Sequence, residues 1–217
     1  MRSLRLLGIV MLAVCLVSGI AASTASAMKI TYSGSGRFAI TAGEDKTETV
    51  GGDQLTCKGN AGTGQLGKSP ATTAELTVSF RGCEALGKKC TSSGGTPGLL
   101  DTVKLLATFG DIEAKKIGGA LLKPASGTAF LVPVKCGEST FSWSGSVIGQ
   151  FTTALDTQTS LITLNFEQQK GIQTIKKFAG EAKENTLTSI IEGSEEIQGL
   201  EAREDLVLTA GSGQLLA

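Results

Sequence analysis

Glu75-Leu76-Thr77-Val78-Ser79-Phe80-Arg81 decides the fold. Its apolar residues fall at every second position, the period of a strand with one face on a core and the other in water. Ile162, Leu164 and Phe166 alternate in the same way with Thr163 and Asn165. Phe141, Trp143, Gly145 and Val147 alternate with Ser142, Ser144 and Ser146, and Phe130, Val132, Val134 and Cys136 share one face. The threonines suit the wet side of a sheet, where a β-branched polar side chain packs well. Gly51-Gly52, Gly94-Gly95, Gly118-Gly119 and Glu192-Gly193-Ser194 punctuate the runs, as hairpins require where φ turns positive. Helical stretches are confined to one turn at Gly180–Asn185 and to Val103–Ile117, which Thr108, Phe109 and Gly110 interrupt. The pattern predicts a mainly β, single-domain, antiparallel β-sandwich or barrel-like fold.

An address precedes that domain. Arg2 and Arg5 form a positive start, Leu6 to Ala22 is almost wholly apolar or small, and Ala25-Ser26-Ala27 is an A-x-A cleavage site. Residues 1–27 therefore read as a signal peptide and residues 28–217 as a single β domain, with Met28 as the expected mature N-terminus. The last residues, Leu215-Leu216-Ala217, bring neither an apolar tail nor a basic stop, so no stable membrane anchor is expected in the mature chain. The expected location is secreted: extracellular or loosely associated with the cell surface.

Composition removes several function classes. The 217 residues carry 20 Lys+Arg and 20 Asp+Glu, so there is no basic excess to attract nucleic acid or anionic lipid. Histidine is absent, which removes Ser-His-Asp and Cys-His catalysis, HExxH zinc sites and haem ligation through His. Aromatic residues are 5% of the chain, too few for the girdles of an outer-membrane barrel. With one Trp and one Tyr, Trp143 and Tyr32, the chain also lacks a platform for sugar stacking; Trp143, set among serines, reads as core. No cofactor and no metal are expected, and the partner is unknown.

Cys15 lies in the leader, leaving Cys57, Cys83, Cys90 and Cys136. An even number in an exported chain reads as two disulfides, with three pairings open. Cys57 shares a face with Leu55, and Cys136 with Val134 and Val132, while Cys83 and Cys90 flank the polar turn Glu84-Ala85-Leu86-Gly87-Lys88-Lys89. Face parity thus predicts Cys57 with Cys136 and Cys83 with Cys90. Chain entropy assigns roughly 4.5 kcal/mol to the long loop and roughly 2.5 kcal/mol to the short one. There is no CxxC pair to suggest a redox centre or a zinc site.

Two motifs imitate nucleotide sites. Gly62-Thr63-Gly64-Gln65-Leu66-Gly67-Lys68-Ser69 is a complete GxxxxGK[ST]. A phosphate cradle needs a buried strand before it and a helix after it. The preceding Gln54–Gly59 stretch is polar and Pro70 follows Ser69, so the segment reads as a Gly-rich hairpin loop. Gly34-Ser35-Gly36-Arg37-Phe38-Ala39 matches GxGxxA but leads into alternating residues rather than a helix. Carboxylate chemistry would have to come from pairs such as Asp111 and Glu113, two apart on one strand face, or Glu195 and Glu196. Both read more simply as solvated acidic stretches, and Glu44 and Asp45 beside Gly43 as a turn.

Several segments carry a resemblance. Thr49-Val50-Gly51-Gly52 runs on to Leu55-Thr56-Cys57, and Phe80-Arg81-Gly82-Cys83 to Cys90-Thr91-Ser92. Leu122-Lys123-Pro124-Ala125-Ser126-Gly127 precedes Cys136, and Gly145-Ser146-Val147-Ile148-Gly149 follows it. Over most of residues 47–200 the chain resembles a family of exported actinobacterial proteins of unknown function, often present in many copies per genome. The resemblance implies export and disulfides and assigns no activity. The expected function is a secreted, non-catalytic binding or structural module. One alternative is a lipocalin-like barrel binding a small apolar ligand, which an internal cavity would mark. The other is a His-free carboxylate hydrolase, which two carboxylates facing across a cleft would mark.

Overall fold

The computed structural model describes residues 27–92, 94–113 and 116–216. The signal peptide read over residues 1–27 lies, Ala27 apart, outside them. Every regular element among the described residues is a strand. The first seven are β1 (Lys29–Tyr32), β2 (Arg37–Ala42), β3 (Asp45–Thr49), β4 (Gln54–Cys57), β5 (Gly59–Leu66), β6 (Thr73–Arg81) and β7 (Glu84–Ala85). Next come β8 (Lys88–Ser92), β9 (Leu99–Asp101), β10 (Leu105–Glu113), β11 (Ile117–Pro124), β12 (Val134–Cys136), β13 (Ser139–Gly145) and β14 (Val147–Phe151). The last are β15 (Gln158–Thr159), β16 (Leu161–Phe166), β17 (Gln168–Gln169), β18 (Ile172–Gln173), β19 (Leu187–Ile191), β20 (Ser194–Leu208) and β21 (Gly213–Leu216).

Eight strands close an antiparallel barrel in the order β20, β2, β5, β6, β10, β11, β14, β16, with β16 pairing back onto β20. Leu206 of β20 marks the closure: it faces Ile40 across one ladder and Ile162 across the other. The alternation read in β6 and β16 supplies inward side chains, Leu76, Val78 and Phe80 from one and Ile162, Leu164 and Phe166 from the other. Together with the other inward residues they leave a void of only about 50 Å³, so this barrel is a packed core.

The N-terminal half of β20 closes a second ring, in the order β20, β3, β4, β7, β8, β12, β13, β19 and back to β20. Five strand paths run from one ring into the other. β20 does so unbroken over 15 residues, and β2 continues into β3, β4 into β5, β6 into β7 and β13 into β14 across one or two residues each. The two barrels are therefore stacked end to end.

Several local expectations change. Gly62–Leu66 lies in β5, not in a hairpin loop. A Cβ at Gly64 would fall 2.1 Å from the Phe38 ring, and one at Gly62 would fall 2.4 Å from the Thr77 carbonyl oxygen. These glycines are present because side chain and backbone of neighbouring strands approach closely, which is a packing reason and not a phosphate-binding one. Gly118 and Gly119 likewise sit within β11 rather than in a turn; a Cβ at Gly119 would meet the Gly149 oxygen at 2.5 Å. Val103–Ile117 contains strand β10, and Gly180–Asn185 is irregular. Of the run Phe130 to Cys136 only Val134–Cys136 is strand, and the run Phe141 to Val147 breaks at Gly145-Ser146.

All four cysteines are buried and bonded, but in a different pairing: Cys57 with Cys83 and Cys90 with Cys136. They form one row across β4, the start of the β7–β8 hairpin, β8 and β12. Cys90 and Cys136 are direct cross-strand partners with Cα atoms 4.1 Å apart, and Cys57 and Cys83 stand 3.9 Å apart. The predicted Cys57–Cys136 link would have to span three strand spacings of about 4.8 Å each. Cys83 and Cys90 do face each other, through the hydrogen bond from Cys90 N to Cys83 O. The return bond is missing, because Cys83 N donates to Gly98 O and Cys90 O accepts from Gly98 N, and each thiol turns instead to its other neighbour.

Candidate functional site

The second barrel is not filled. Its interior holds a cup of about 550 Å³, within the range of small-molecule sites. The wall alternates as strands must: Thr47 and Thr49 of β3, Leu55 of β4, Phe141 and Trp143 of β13, Ser189 and Ile191 of β19, and Gln198 of β20 point inward. The mouth is formed by turns and a strand end, with Asp53 before β4 and Gln54 at its start, Leu86 at the tip of the β7–β8 hairpin, and Gly137 and Glu138 between β12 and β13.

Trp143 is the chain's single tryptophan and is 2% exposed. Its ring meets Phe80 edge-on, with centroids 6.1 Å apart, and Phe141 in a tilted stack at 6.3 Å. Phe80 lines the first barrel's void and Trp143 lines the cup, so this aromatic contact is part of the wall between the two interiors. Trp143 is core, as its setting among serines implied, and also cup surface. The polar wall residues Thr47, Thr49, Ser189 and Gln198 are all buried. Thr49 Oγ1 accepts a hydrogen bond from Asp53 N at 3.2 Å, fixing the mouth turn. Gln198 Nε2 is buried without a hydrogen-bond partner.

Leu86 combines two costs at the mouth. It is 89% exposed, and it adopts φ 50°, a left-handed conformation that a leucine seldom occupies. Leu86 and Gly87, at φ 72°, form the two-residue turn that the hairpin twist requires.

A second buried cluster lies between the barrels. Asn60 Nδ2 donates to Asp45 Oδ2 at 2.9 Å and to Glu204 Oε1 at 2.7 Å. The other oxygens, Asp45 Oδ1, Asn60 Oδ1 and Glu204 Oε2, are buried without partners. Burial, reinforced by the charge of Asp45 and partly offset by Asn60, pushes the Glu204 carboxyl up to about 8. Burial raises Asp45 to about 6 against the opposing hydrogen bond from Asn60. Asp45 is thus an inward strand residue and not part of a turn.

The carboxylate pairs singled out in the sequence are not brought together. A register shift in β10 separates Asp111 from Glu113, leaving the first buried and the second exposed. Glu196 accepts a hydrogen bond from Gly51 N at 3.1 Å, and Glu195 is exposed. Lys68 of the P-loop look-alike is exposed beyond the end of β5, and no helix follows it. Among the described residues no three metal-ligating side chains gather.

Sequence reasoning missed Gln198, Thr47, Ser189, Asn60 and Glu204. In Asp45-Lys46-Thr47-Glu48-Thr49 both faces are polar, so hydrophobic alternation carries no signal there. Only the ladders of β3 to β4 and β20 show which side is inside. Searches of family models, curated proteins and solved structures return no match to this chain.

Proposed function

We propose that the protein is an exported, non-catalytic binding module that holds a small, largely apolar molecule in the cup of the second barrel. The observation that carries this reading is the cup itself: about 550 Å³, walled by Leu55, Phe141, Trp143 and Ile191, with a few polar groups set among them. Two disulfides beside the cup suit an oxidising compartment. The reading joins the binding-module and small-ligand expectations, with the second barrel as the ligand's place because the first encloses a void of only about 50 Å³. A carboxylate hydrolase has less in its favour, because Asp45 and Glu204 share Asn60 inside the partition and Glu204 adjoins only a void of about 50 Å³.

Trp143 supplies an intrinsic reporter. Titration with N-phenyl-1-naphthylamine, a neutral apolar fluorophore, is expected to show saturable one-to-one binding with energy transfer from Trp143. Ile191→Trp, which fills the cup from β19, is expected to abolish it. Absence of saturable binding, or binding indifferent to the filled cup, would overturn the proposal.

A further inference from the structure

We infer that Gln198 selects the ligand: a neutral molecule with an apolar body and a hydrogen-bond acceptor, such as a carbonyl, that accepts a hydrogen bond from Gln198 Nε2. The inference rests on the cup being a ligand site. Gln198 is 3% exposed, lines the cup and has its Nε2 buried without a partner. A buried donor left unmet costs about 1–3 kcal/mol, and native proteins rarely leave one. Its neighbours do not supply an acceptor at hydrogen-bonding distance, although Thr49 stands directly across the ladder on one side and Leu187 on the other. Gln198 lines the cup, and a half-turn of its amide about the last side-chain torsion brings Nε2 to that space.

Charge then narrows the class. The buried polar residues of the wall, Thr47, Thr49, Ser189 and Gln198, are all neutral. The charged residues of the cup, Asp53, Lys88 and Glu138, are exposed at or near its mouth. A carboxylate or ammonium carried down to Gln198 would lose its water and meet no counter-charge, which is far more costly than burying a neutral acceptor that is hydrogen-bonded. Trp143 and Phe141 offer ring surface to a flat apolar body.

Three probes of nearly equal shape separate the possibilities: 2-acetylnaphthalene, 2-isopropylnaphthalene and 2-naphthoate, each titrated calorimetrically into the full mature protein. The ketone is expected to bind roughly tenfold more tightly than the hydrocarbon, the difference made by one hydrogen bond to an otherwise unmet donor, and the carboxylate most weakly. Gln198→Leu is expected to bring the ketone down to the hydrocarbon's affinity while leaving the hydrocarbon unchanged or tighter. Equal binding of ketone and hydrocarbon to the native protein, or selectivity that survives Gln198→Leu, would overturn the role of Gln198 and leave the cup as a site. Failure of all three to bind would overturn the cup with it. The native-protein comparison needs no variant, so a Gln198→Leu chain that does not fold leaves the test intact.

Discussion

Gly145 shows how much a single residue carries at the junction of the two barrels. It closes β13 at φ 94°, and a Cβ built there would lie 2.1 Å from the Thr186 carbonyl oxygen. The conformation favours glycine and the contact is with backbone, which cannot swing aside. Gly145→Ala is therefore expected to destabilise the fold by about 2–3 kcal/mol, adding a left-handed alanine to a steric clash; urea unfolding followed by Trp143 fluorescence measures it. A variant as stable as the native chain would mean that the bend is soft. Gly87 forms the matching control, since a Cβ there meets nothing and only the positive φ of 72° opposes a side chain. Gly87→Ala is expected to cost about 1 kcal/mol. At this scale sequence reading had the residue type and missed its reason: Gly145 sat in an alternating run as one more inward position, whereas it ends the run.

The cysteine row is a property of neighbouring elements. Non-reducing peptide mapping is expected to yield Cys57–Cys83 and Cys90–Cys136. The two links close loops of 26 and 46 residues, for which chain entropy gives about 3.5 and about 4 kcal/mol. Removing either pair by double alanine substitution should thus lower the denaturation midpoint by similar amounts. A pronounced asymmetry would point instead to the nested pairing expected from face parity. Parity reads which side of a strand a thiol occupies, and it placed Cys57 and Cys136 correctly inside. It does not read which strand lies next door, and the order β4, β7, β8, β12 decides the partners. The same division holds for the fold. The alternation of Leu76, Val78 and Phe80 announced β6, yet closure depends on β16 and β2 both reaching β20, a pairing between distant parts of the chain that local pattern does not encode. The cup was less legible still, because Thr47, Ser189 and Gln198 are ordinary polar residues until three strands bring them round one space.

Considered whole, the molecule is two stacked barrels with a partition that includes ionisable groups, and this ties its stability to pH. In the unfolded chain Glu204 and Asp45 ionise near their ordinary values of 4.5 and 3.8; in the fold they hold their protons to about 8 and about 6. Between these limits the folded state binds more protons than the unfolded one, so stability falls as pH rises. The contribution is fullest below about pH 4 and is lost progressively up to about pH 8. The groups around Glu204 do not reverse this: Asp45 and Asp205 are acidic, and the hydrogen bond from Asn60 only offsets part of the shift. The melting temperature is expected to decline from pH 5 to pH 8. Glu204→Gln keeps an oxygen to accept from Asn60 Nδ2 and removes the titrating group. It should leave the protein close to native stability at pH 5 and more stable than native at pH 8 by roughly 2–4 kcal/mol. Glu201→Gln, an exposed acid on the same strand, should change neither value. A native melting temperature flat across this range, or a Glu204→Gln profile parallel to it, would show that the partition holds its charge without cost. A decline that Glu204→Gln removes would identify this buried carboxyl as the reason the two barrels hold together better in acid than in base.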